Sequence, residues 1–118
     1  MTIQTFKDLI VWQKAHQLVL LAYALSEKYP KSELFALTSQ TRRCAASIAS
    51  NIAEGFKRKS KKDSLHFYNM AEASLEELKY DLILSKDLSY INTDEFSRAM
   101  NQSEEVGRLF HGWMNSQK

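Results

Sequence analysis

The chain has 118 residues, of which 44% are hydrophobic and 25% charged, with 16 basic and 14 acidic side chains. That is the size of one ordinary domain, able to bury roughly 65% of the surface its unfolded chain exposes. Three glycines and one proline exclude collagen, low-complexity and turn-rich all-β chains, and a formal net charge of +2 is too small to announce a nucleic-acid binder.

Three breaks divide the chain. Pro30 is the only proline, and it biases Tyr29 before it away from helical geometry. Gly55 ends a helix ahead of the polar stretch from Lys57 to Ser60. Between Ser89 and Thr93, Asn92 or Thr93 can cap a new helix whose first turn holds Asp94 and Glu95. Four segments remain, at about 8–29, 33–56, 61–88 and 94–115, with no repeat, linker or second domain.

Each segment carries helical periodicity. Val11, Ala15, Leu18, Ala22 and Leu25 line the first, widened by Trp12 and Val19. The second is lined by Leu34, Leu37, Thr41, Ala45, Ile48, Ile52 and Phe56. Tyr68, Ala71, Leu75, Leu78 and Leu82 line the third. The fourth is lined by Phe96, Ala99, Ser103, Val106, Phe110 and Trp113. Four long helices with short connections predict an all-α, antiparallel up-down-up-down four-helix bundle.

Leu18 to Leu25 is an unbroken apolar run of eight residues. It is far short of the roughly 20 residues that span a membrane, and a helix apolar all round must bury a second face. Leu18, Leu20, Leu21, Tyr23 and Leu25 are therefore expected at a homo-oligomer interface. The second helix is rich in small residues, and Ala45, Ala49 and Ala53 form a stripe suited to close helix approach. Cys44, inside it, reads as a packed residue rather than a nucleophile. As the only cysteine it has no internal disulfide partner, which suits a reducing, cytoplasmic compartment. The first five residues lack the basic-then-apolar pattern of a secretory signal.

The average charge hides a strong asymmetry. From Arg42 to Lys62 the chain carries Arg42, Arg43, Lys57, Arg58, Lys59, Lys61 and Lys62 against one acid, Glu54, for a net +6 in 21 residues. The other 97 residues carry −4. Such a segment is either a polyanion surface or a solvated polar loop.

Catalytic and metal chemistry find little support. Gly55, Gly107 and Gly112 form no phosphate-cradling loop. His16, His66 and His111 do not follow a Glu by three, so the paired Glu-x-x-His motif of di-metal bundles is missing. No cofactor or metal is expected. His16, near the apolar side of its helix, suits a hydrogen-bonded structural role. Glu72, Glu76, Glu77, Lys79 and Asp81 read as the solvated face of the third helix. Gln40, Ser47, Ser50, Asn51 and Glu54 interleave with small residues, where they either set the helix register or line a binding surface.

The run from Thr38 to Ile48, followed by Ser50-Asn51-Ile52-Ala53-Glu54-Gly55, resembles the signature of the helical proteins encoded in intervening sequences of bacterial 23S rRNA genes. Trp12-Gln13-Lys14-Ala15 and Ser74-Leu75-Glu76-Glu77-Leu78 match that family's pattern too. The resemblance runs from about Phe6 to Trp113. It departs at Ala49, where many members have proline, at Thr41, where a hydrophobic residue is usual, and at Lys57, near a second glycine of other members. It implies a four-helix protomer in a homopentamer, similar to the accessory protein of diversity-generating retroelements, which works with a reverse transcriptase and nucleic acid. It brings no catalytic residues. The expected function is thus non-enzymatic binding of RNA or DNA backbone by Arg42, Arg43, Lys57, Arg58, Lys59, Lys61 and Lys62. The alternatives are a scaffold for a polymerase-type partner and an RNA-processing enzyme.

Overall fold

A computed structural model of the protein describes residues 2–117. Four α-helices make the body: α1, Ile10–Ser26; α2, Ser39–Lys57; α3, Lys61–Asp87; and α4, Thr93–Ser116. No strand occurs among the described residues. The chain is elongated, 43 × 25 × 19 Å. α1 packs on α2 and α4, α3 packs on α2 and α4, and the α2–α3 contact is the most extensive. The apolar faces read from the sequence meet in one core, from Val11 and Leu18 on α1 to Val106 and Phe110 on α4.

Two boundaries differ from the sequence expectation, each for a local reason. α1 ends at Ser26 rather than near Tyr29, because the Lys28 and Tyr29 amides turn back to the Leu25 and Ser26 carbonyls in a tighter winding. The second helix begins six residues late. Pro30 leads into a 3-10 turn, Lys31–Glu33, and then a π-helical turn, Leu34–Thr38. The wider turn rotates the face, so Leu37 is buried while Leu34 is 49% exposed and Phe35 94% exposed. Leu34 is thus not the core residue that its spacing predicts.

The apolar run on α1 divides by the same logic. Leu18 and Leu25, expected at an oligomer interface, are buried in the protomer's own core instead. Helical spacing places them on the inward stripe with Ala15 and Ala22. Leu20 and Tyr23 are exposed, and Leu21 is half-buried. His16 also differs from expectation: it is exposed and stacked on Trp12, ring centroids 5.1 Å apart.

α2 and α3 make the most extensive helix contact, and small residues of α2, Ala45 and Ala49, are buried. Polar pairs then set their register. Ser47 and Ser74 share a hydrogen bond of 2.8 Å between hydroxyls, and the Asn51 amide donates to the Ser47 hydroxyl at 2.8 Å. Nearer the start of α2, the Gln40 amide donates to Asp81 Oδ1 at 2.6 Å and the Cys44 thiol to Oδ2 at 3.2 Å. Asp81 is therefore no member of a solvated face: it is 0% exposed. Burial pushes its carboxyl pKa up, against the two donors, which favour the ionised form. Burial and the neighbouring carboxylate also push the Cys44 thiol up, which leaves little thiolate for nucleophilic chemistry. Ser85, one turn on, donates to the Asp81 carbonyl at 2.7 Å and accepts from the Tyr29 hydroxyl at 2.6 Å, which ties the α1–α2 connection to α3.

The helix ends are built from side chains. Ser60 caps α3, accepting from the Asp63 amide at 3.1 Å. Asn92 and Glu95 form a reciprocal capping box on α4. α3 ends on Ser89 at φ 63°, with Ser89 N–H bonded to the Lys86 carbonyl and Tyr90 N–H to the Ser85 carbonyl, both at 2.9 Å. That is a Schellman ending with serine where glycine is usual.

Both the left-handed serine and the buried acid have consequences for stability. S89G removes the Cβ from a left-handed position and should raise stability by about 0.5–1 kcal/mol, read as a higher Tm in thermal denaturation. D81N tests the buried carboxylate. A raised folded-state pKa means that ionised Asp81 costs stability at neutral pH, a cost that fades as pH falls through that pKa toward the unfolded value of about 3.9. The Tm advantage of D81N over wild type should therefore be larger at pH 7 than near pH 4.

Candidate nucleic-acid interface

The basic turn is a three-residue connection whose geometry starts at Gly55. A Cβ there would lie 2.3 Å from Cε1 of Tyr68, so only glycine lets the α3 tyrosine lie against the α2 backbone. The Gly55 carbonyl then accepts from Ser64 Oγ at 2.7 Å and from the Arg58 amide at 3.3 Å. Arg58 and Ser60 are extended, and α3 starts at Lys61. The end of α2 and the start of α3 are thereby clamped together, and the residues between them are turned outward.

Lys57, Arg58, Lys59, Lys61 and Lys62 are all exposed. Arg58 is already engaged: it pairs with Glu54 one turn back, and its guanidinium sits 4.5 Å from the Phe67 ring centroid. Among the described residues the four lysines make no salt bridge. Two of them, Lys61 and Lys62, stand in the first turn of α3, where the helix field disfavours cations. Asp63 is the acid in the same turn that offsets them.

The seven basic residues expected to act together do not form one patch. Arg42 and Arg43 sit in the first turn of α2, about 20 Å along the helix from Lys57. Arg42 is spent on the fold: it donates to Ser26 Oγ at 2.8 Å and to Glu27 Oε1 at 2.9 Å, with its guanidinium 5.0 Å from the Tyr23 centroid. Arg43 is exposed.

Beneath the basic turn lies a pocket of about 330 Å³, which no sequence pattern indicates. Phe56, Tyr68 and Trp113 are, by periodicity, core positions of three separate helices, and only the fold brings them together. Phe56 and Trp113 are half-buried, their centroids 6.4 Å apart. Tyr68 is buried edge-to-face on Phe110 at 5.7 Å. Burial pushes the Tyr68 phenol pKa up. Lys59 and Lys61 stand on the rim.

A second cleft, about 520 Å³, runs between α3 and α4. Its charges are mixed: Glu72, Glu76 and Glu104 against Lys79 and Arg108, with His111 in the same lining. Among the described residues no group of three or more His, Cys, Asp or Glu side chains is placed to hold a metal ion. No described helix is long and apolar enough to cross a membrane.

The fold has a solved counterpart. A crystal structure of a protein of unknown function from the S23 ribosomal protein family of Bacteroides thetaiotaomicron VPI-5482 superposes with a TM-score of 0.82. It is 24% identical and covers 89% of this chain and 98% of its own, a likeness of fold. No curated protein sequence matches significantly. Residues 7–112 match the family described as 23S rRNA-intervening sequence protein. That stretch takes in the Gly55 clamp, the basic turn and all of the four helices but the last four residues of α4, and the chain belongs to the 23S rRNA-intervening sequence protein family.

Proposed function

We propose that the protein is a non-enzymatic, cytoplasmic homo-oligomer, a pentamer of antiparallel up-down-up-down bundles, that binds RNA or DNA backbone through its basic turn. The observation that carries this is the cluster of exposed lysines, Lys57, Lys59, Lys61 and Lys62, which make no ion pair among the described residues. Arg58, held by Glu54 and Phe67, is a fixed secondary contact, and Arg43 can reach a strand that continues along α2. Arg42 has no part, because its guanidinium is held by Ser26 and Glu27.

The pairing of Gln40 with Asp81, Ser47 with Ser74 and Gly55 with Ser64 supports opposed chain directions for α2 and α3. Leu20, 57% exposed, and Tyr23 on the outer face of α1 support burial against a second copy. Several weak basic turns on one particle would bind a polyanion by avidity. Phe35 favours a second reading, a scaffold for a polymerase-type protein, since a fully presented phenylalanine suits a protein partner better than a phosphate.

The test is a salt series against structured RNA and duplex DNA. Changing the four lysines to glutamine should weaken binding and lower the slope of log K against log salt by about 0.7–0.9 for each phosphate no longer neutralised. The same variant should melt at or above the wild-type temperature, because Lys61 and Lys62 oppose the α3 dipole. Unchanged affinity and slope would refute the phosphate role. Light scattering should give a mass near five protomers, and L20E should dissociate the particle without loss of helical circular dichroism.

A further inference from the structure

We propose that the pocket beneath the basic turn takes an unpaired nucleobase, so that the preferred ligand is RNA or DNA with exposed bases rather than a continuous duplex. This rests on the backbone-binding reading above and specifies its ligand. The pocket joins two chemistries. Its walls are apolar and aromatic, from Phe56 on α2, Tyr68 on α3 and Trp113 and Met114 on α4. Its rim carries Lys59 and Lys61. A nucleotide has the same division, a flat face that stacks on aromatic rings and a phosphate that pairs with lysine. A duplex offers its phosphates but no free base face, because its bases are stacked on one another.

Size and openness of the rings agree. About 330 Å³ is near the lower limit for small-molecule sites and leaves room for one nucleobase. Phe56 and Trp113 are tilted 37° to each other and half-buried, so neither ring is closed off by a face-to-face partner. The floor is rigid, since Tyr68 is locked between the Gly55 backbone and Phe110. Such a site selects for unpaired nucleotides without selecting strongly among bases, because every base has a π-face.

Fluorescence anisotropy with a fully paired RNA and with the same RNA carrying a central unpaired stretch tests this. Wild type should prefer the unpaired RNA about 5- to 150-fold, the range that one stacked base contributes. W113L should lose that preference yet keep the affinity and salt slope for the paired RNA, since the lysines are untouched. Trp113 fluorescence, isolated by W12F, gives a readout that needs no pocket mutation. It should be quenched by the unpaired RNA and not by the paired one. Equal affinity for both RNAs, or a preference that survives in W113L, would overturn the proposal while leaving backbone binding intact. Quenching by laurate but by neither RNA would assign the pocket to an aliphatic anion and overturn it. Binding of neither RNA would remove both readings.

Discussion

Tyr68 lies against the backbone of Gly55, at a distance that leaves no room for a side chain there. Much of the protein's working geometry depends on that contact. It brings the end of α2 against α3, frees the Gly55 carbonyl for Ser64 and Arg58, and leaves Lys57 to Lys62 projecting from a short turn. The same tyrosine forms the floor of the pocket and packs on Phe110 of α4. One missing Cβ thus couples helix packing, turn conformation and the shape of the candidate site. Any larger residue at position 55 must displace a buried aromatic ring, a change that costs about 1–3 kcal/mol when a packed site is overfilled.

The opposite half of the α2–α3 contact is governed by polar groups rather than by space. Gln40 and Cys44 supply donors to a carboxylate that has no solvent exposure. Apolar residues replacing Asp81 and its donors together would avoid the desolvation cost, so the acid does not maximise stability. What it specifies is register: the Asp81 carboxylate meets both donors only where Gln40 and Cys44 face it. Ser47 with Ser74 repeats the device in the middle of the interface.

The core is legible in the sequence wherever a helix keeps its regular winding. Ala15, Ile48, Leu78 and Val106 each belong to the heptad-like stripe of their own helix, and all are buried. Legibility fails where the winding changes or where a partner lies on another helix. Leu34 follows the α2 stripe by spacing, but the π turn carries it outward. Asp81 sits among charged neighbours, so periodicity alone assigns it to solvent, and only the donors on α2 account for its burial. Arg42 and Lys57 share one basic segment in the sequence, yet helical rise puts them far apart, and Arg42 is captured by Glu27. The pocket is illegible for the same reason: its aromatic residues come from three helices and meet only after folding.

The placement of the lysines supports the proposal that they serve a ligand. At the end of α2, Lys57 complements the helix field, but Lys61 and Lys62 in the first turn of α3 oppose it. Five like charges within six residues also repel one another. Both effects lower stability, and the nearby acids that offset them are Glu54 and Asp63. Elsewhere the same chain obeys the rule, with Asp94 and Glu95 in the first turn of α4. A sequence that places acids correctly at one helix start and cations at another is departing from local preference at a particular place, and such departures concentrate where binding occurs. A bound phosphate reverses the sign of the effect, since the α3 amino terminus and the lysines then act on the anion together.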